Sequence, residues 1–148
     1  MAGDEDETLD VDDAIDALNT ALRLQFRSAL QYSLTASSLL GLEAQGVAAQ
    51  LLSYGDQELA DVRELIEKIV SFGGTPTTDV ADLRHDGDVE AALGWLIDTE
   101  NEVIEALQAA IEPTGREGRS EALEHMLEHM IMRKQRQVDL LVRARREP

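Results

Sequence analysis

Four apolar stripes at helical spacing, each broken near its middle by polar or charged residues, constrain this chain more than any other feature. The first runs through Leu18, Leu22, Ala29, Tyr32, Ala36 and Leu39, the second through Leu51, Tyr54, Leu65, Ile69 and Phe72. The third runs through Leu93, Leu96, Ile97, Val103, Ile104, Leu107 and Ile111, the fourth through Leu123, Leu127, Met130 and Leu141. Such periodicity marks amphipathic helices that share a core. The interruptions are Gln25 in the first stripe and Glu58 in the second, with Asp61 or Val62 one turn later. Glu100 breaks the third, and Lys134 and Gln137 break the fourth. Isolated charges are too costly to bury, so these mid-stripe groups are expected to meet one another.

Local punctuation sets the order of the elements. The segments span about Asp12–Leu40, Glu43–Phe72, Asp88–Glu112 and Ser120–Arg145, with Ser120 as the expected N-cap of the last. Gly41 closes the first, Gly73-Gly74-Thr75-Pro76 the second and Pro113 the third, and residues 75–87 have no sustained period. No β-branched alternating run suggests a strand. Two short links force antiparallel neighbours, whereas the middle loop is long enough to traverse a bundle, so the predicted fold is an all-α four-helix bundle with one long crossover.

Composition removes several function classes. The 148 residues include no cysteine, which excludes disulfide scaffolds, thiolate metal sites and cysteine nucleophiles. Thirty acids against thirteen bases give a formal charge of −17, and a field of that sign repels nucleic-acid phosphates. Asp4, Glu5, Asp6, Glu7, Asp10, Asp12 and Asp13 concentrate part of it at the N-terminus, so residues 1–10 are expected to form a disordered acidic tail and residues 11–146 the bundle. That tail lacks the basic and apolar regions of a secretion signal, and no apolar run is long enough to span a membrane. A cytoplasmic location is expected.

The interrupted stripes carry a resemblance. Leu18-Asn19 is followed by Gln25 and then Tyr32, and Glu58-Leu59-Ala60-Asp61 precedes the Gly73–Pro76 stop. Glu100 follows Asp88-Val89-Glu90, and Lys134-Gln135-Arg136-Gln137 is followed by Asp139. Over residues 11–145 this pattern resembles the ferritin-like superfamily, bacterioferritin most closely. The resemblance implies a di-iron centre of four carboxylates and two imidazoles, the Glu plus Glu-x-x-His arrangement. Its six ligand positions fall here on Gln25, Glu58, Asp61, Glu100, Lys134 and Gln137, so both imidazoles and two of the glutamates are replaced. The family's haem-ligating methionine falls on Leu59, and haem is not expected. A homodimer through the first two helices is implied, and with no counterpart to the family's fifth short helix a small homo-oligomer is expected rather than a cage.

Lys134 weakens the metal reading most: its ammonium has three donors, no lone pair and a charge that repels cations. The expectation is therefore a degenerate di-iron site, without ferroxidase activity, in which Lys134 replaces the charge of the metal. Gln25, Gln137 and the Tyr32 hydroxyl would supply hydrogen bonds to the carboxylates. Three acids and one lysine leave a charge of −2, which a proton, a water-filled channel or a residual metal ion has to cover. The alternative is an iron-binding or iron-storage protein whose altered, mononuclear site uses Glu58, Asp61 and Glu100 for iron or another divalent ion.

Other motifs have simpler explanations. His125 and His129 flank Glu128 in an H-x-x-E-H arrangement, but both histidines lie on the far side of the helix from Lys134 and are expected to be solvated. Arg133, Arg136, Arg143, Arg145 and Arg146 form a basic C-terminal stretch that complements the helix dipole. Gly46 and Gly55 lower helix propensity and are expected where another helix approaches closely.

Overall fold

A computed structural model describes residues 9–111 and 118–145, apart from the side chain of Arg119. Four helices follow in order: α1 (Val11–Ser38), α2 (Ala44–Ser71), α3 (Val89–Ile111) and α4 (Gly118–Ala144). No strand occurs among the described residues. α1 packs chiefly on α2 and α3, and α4 chiefly on α3, while α2 and α4 make few close contacts. Late α1 meets early α3 through Gln31 and Trp95, and late α4 meets early α3 through Arg145 and Glu90, so these neighbours are antiparallel.

The helix ends follow local chemistry. Asp10 caps α1, its carboxylate accepting from the Asp13 backbone amide at 3.1 Å. Gly41 and Gly73 take positive φ angles of 96° and 84° after α1 and α2. Behind Gly73, the Gly74 amide bonds back to the Ile69 carbonyl at 2.9 Å, and a Cβ on Gly74 would lie 2.7 Å from Ile15 Cγ2. Ser120 is no N-cap: it sits inside α4 with its hydroxyl buried and unpartnered. Of the acidic tail expected over residues 1–10, Leu9 is instead packed in the core and Asp10 caps α1; the rest of that expectation, residues 1–8, lies outside the described residues, as does Arg146.

The apolar core forms two bodies. One end gathers Leu18, Leu22, Leu65, Ile69, Leu107, Leu123 and Leu127, the other Tyr32, Leu51, Tyr54, Leu93, Leu96 and Leu141. Gln25, Glu58, Glu100 and Lys134 are fully buried in the middle of their helices. Gly55 lets α1 and α2 approach closely, since a Cβ there would lie 3.3 Å from Tyr32 Cβ; Gly46 meets nothing within 4 Å and serves no such contact.

The crossover from α2 to α3 is held by a polar ladder on one face of α1, with steps four residues apart at Asn19, Arg23, Arg27 and Gln31. The Asn19 side chain donates to the Thr75 carbonyl at 3.0 Å and accepts from the Thr77 amide at 2.8 Å. Arg23 pairs with Asp79 at 2.7 Å. Gln31 does the same for Arg84, donating to its carbonyl at 2.8 Å and accepting from its amide at 2.9 Å, and also accepts from Trp95 Nε1 at 3.0 Å. Arg27 reaches α3 through Glu102 at 2.7 Å.

Candidate functional site

At mid-bundle each helix supplies one side of a closed polar cluster. Lys134 on α4 places its ammonium against Glu58 Oε2 of α2 and 3.5 Å from Glu100 Oε1 of α3. Gln137, one turn further along α4, donates Nε2 to Glu58 Oε1 at 2.6 Å and to Glu100 Oε2 at 3.0 Å. Gln25 on α1 donates Nε2 to the Glu58 carbonyl at 2.9 Å and also to Glu58 Oε2. The two carboxylates, the lysine and Gln25 are fully buried and Gln137 nearly so. The spacing of Lys134 and Gln137 puts both on the same helix face, so one element satisfies both acids.

Tyr32 departs from the expected role. Its hydroxyl lies close to Gln137 and Glu100 but is buried without completing a hydrogen bond, as is the Ser28 hydroxyl beside Glu100. Burial, then the charges of Glu100 and Glu58, push the phenol well above its ordinary range, so it stays neutral.

Asp61 and Val62 are both buried, so the second stripe accommodates the two of them. Asp61 does not join the Glu58–Glu100 cluster: its carboxylate is bound by the Arg133 guanidinium of α4. Sequence reasoning assigned Arg133 to the basic C-terminal stretch and missed this pair. The signal was present, because Arg133 adjoins Lys134 and flanks the core-facing line of its helix. Arg145 reaches Glu90 of α3 at 3.9 Å, with both side chains about a third exposed.

The deficit of −2 counted from the sequence now closes. Arg133 neutralises Asp61 and Lys134 neutralises one glutamate, leaving one negative charge to account for. Burial opposes ionisation of Glu58, but Lys134 and the hydrogen bonds from Lys134, Gln137 and Gln25 outweigh it and hold the carboxyl below its usual range. Burial pushes Glu100 up to about 7, with Lys134 opposing and the Glu58 charge reinforcing the rise. Below about pH 7 a proton on Glu100 supplies the missing positive charge, and the cluster is neutral when Glu58 alone is ionised.

A dinuclear metal centre does not fit this donor set. Both glutamines turn their amide nitrogens, which carry no lone pair for a metal, onto the carboxylates, and the lysine ammonium lies where a cation would bind them. Among the described residues no group of three His, Cys, Asp or Glu side chains is placed to hold a metal ion. His125 and His129 are exposed on α4, and the former lies 4.0 Å from Glu128. Leu59, half-exposed on α2, has no group able to ligate haem iron.

Residues 15–143 match the family model for the ferritin-like domain, and the chain belongs to that family. Among solved structures, ferritin-like diiron-carboxylate proteins from Bacillus anthracis str. Ames superpose with a TM-score of 0.84 at 28% identity, over 90% of this chain and 96% of theirs. The dodecameric thioferritin of Bacteroides fragilis, a bacterioferritin-related protein, gives 0.81 at 20% identity, over 90% of this chain and 84% of its own. Rhodobacter capsulatus bacterioferritin, solved with a metal-free dinuclear site and haem iron, gives 0.75 at 20% identity, over 86% and 80%. No curated protein matches the chain significantly by sequence.

Proposed function

We propose that this protein is a ferritin-like bundle without ferroxidase activity, in which an internal ion pair has replaced the dinuclear metal centre and whose role is structural or binding. The observation that carries the reading is the position of Lys134, buried between Glu58 and Glu100 with two amide donors on the same carboxylates. A metal would have to displace the ammonium and both amides. The ion pair needs neither iron nor oxygen to hold the helices together. The bundle then presents its surfaces independently of redox state, and neither iron nor haem is a resident cofactor.

The assembly we favour is a cytoplasmic homodimer or small homo-oligomer formed through α1 and α2. Leu52, Leu59 and Val70 lie along one exposed side of α2, and Leu30 is half-exposed on α1. Apolar side chains repeated along one helix face suit a self-complementary two-fold contact. Leu59→Asp should shift the molar mass measured by light scattering to that of the monomer; an unchanged mass would remove this interface.

The functional reading is tested on protein purified after growth with iron. Sub-stoichiometric iron by metal analysis, and no oxygen uptake on Fe(II) addition, are expected. One bound ion per chain would instead support the mononuclear alternative at Glu58, Asp61 and Glu100, and two ions with Fe(II) oxidation would support a ferroxidase.

A further inference from the structure

A cleft between α2 and α4, away from the polar cluster, has the features of a ligand site. It is a cavity of about 240 Å³ walled by Val47, Leu51, Leu140 and Leu141, with Gly46 leaving it open because no side chain fills that wall. It lies where α2 and α4 face each other with few close contacts between them. Tyr54 also lines it. That residue is 5% exposed, and its hydroxyl is buried with no hydrogen-bond partner. The Gln50 side chain lies close without completing a bond, and the Arg143 guanidinium acts on the phenol electrostatically.

A buried unpartnered hydroxyl costs stability unless something occasionally satisfies it. Desolvation raises the phenol above its ordinary value, so it remains a proton donor, and the missing partner is an acceptor. Charge fixes which kind. Among the described residues, Arg136 and Arg143 stand on the rim beside Leu140 with a single acid, Asp139, so the positive charge there is in excess. At the opposite end the surface continues past Val47 and Ala144 to Leu40 and Leu42, 88% and 91% exposed, and turns acidic at Glu43 and Asp88. An anionic head is favoured at the arginine end and repelled at the other, which gives the ligand a direction.

The geometry points to a binding site for a small alkyl or aryl carboxylate, its apolar body against Val47, Leu51, Leu140 and Leu141 and its carboxylate on the Tyr54 hydroxyl and the Arg143 guanidinium. At interior packing density the cavity has room for roughly eight to ten heavy atoms. The site does not depend on the reading of the polar cluster, so either can fail alone.

Calorimetric titration of the full chain with octanoate, octan-1-ol and octylamine tests it. Octanoate should bind saturably at one per chain, octan-1-ol more weakly and octylamine not at all. Tyr54→Phe and Arg143→Gln should each weaken octanoate by roughly tenfold, the worth of one hydrogen bond to a charged group. Ligand-free Tyr54→Phe should melt no lower than the parent, because the ring is retained and only an unsatisfied hydroxyl is lost; that controls for folding. Absence of saturable binding, equal binding of the three probes, or octanoate affinity unchanged by either substitution would overturn the proposal.

Discussion

Two polar regions of this bundle lie on neighbouring sides of α1 and obey different rules. The cluster at Glu58, Glu100 and Lys134 is sealed in the core and balances charge against charge. The ladder at Asn19, Arg23 and Gln31 faces the crossover and spends most of its hydrogen bonds on backbone groups. In the first region every member is needed because an orphaned charge has no water to turn to. In the second, solvent can replace what a substitution removes at Asn19 and Arg23, though not at buried Gln31. A charge pair sealed from solvent, rather than polarity or burial alone, separates a site that dictates the fold's chemistry from one that merely routes the chain.

The contrast is broken most severely at Lys134. Lys134→Met should destabilise the bundle by about 3–5 kcal/mol in chemical denaturation, because Glu58 loses its counter-charge in a dry core. A loss below about 1 kcal/mol, the scale of an exposed pair, would place the cluster with the ladder.

Next in size is a pH effect at Glu100. The carboxyl titrates near 4.5 in the unfolded chain and near 7 in the folded one, so between these values the folded state holds a proton that the unfolded state has lost. Stability contributed by this group therefore falls as pH rises from about 5 to 8, by about 3 kcal/mol at most. Glu100→Gln, which mimics the protonated acid, should melt close to the parent at pH 5 and above it at pH 8. Parallel pH profiles for the two proteins would remove the proton from the charge balance.

The ladder gives smaller numbers. Gln31 is fully buried and joins α1 to both Arg84 and Trp95, so Gln31→Ala should cost about 2 kcal/mol and speed hydrogen exchange at the Arg84 amide. Arg23 and Asp79 have side chains 45% and 69% exposed, and Arg23→Ala should change stability by less than about 0.5 kcal/mol. An Arg23 effect as large as that of Gln31 would mean that the ion pairs, not the backbone bonds, hold the crossover.

Much of this was legible in the sequence, and for physical reasons. Helical periodicity and the Gly73–Pro76 stop prescribe the elements, and the breaks in the stripes single out Gln25, Glu58, Glu100, Lys134 and Gln137, all of which the fold brings together. Periodicity reports which face a residue is on, but not which neighbour it selects. Asp61 is core-facing, a point the sequence left open between it and Val62, and it pairs with Arg133, whose place among the basic residues of α4 disguised its direction. The ladder went unread for a related reason. Polar residues four apart on a helix look like a solvated face, and only the path of residues 75–84 reveals that the face is covered. Tyr32 had the right position, but whether its hydroxyl completes a hydrogen bond depends on small distances that spacing does not encode.

The most direct test of the central claim is a crystal grown or soaked with Fe(II) under anaerobic conditions and measured at the iron absorption edge. The account predicts no anomalous peak between Glu58 and Glu100, with Lys134 Nζ hydrogen-bonded to Glu58. Two closely spaced iron peaks there, with the lysine side chain swung outward, would contradict it.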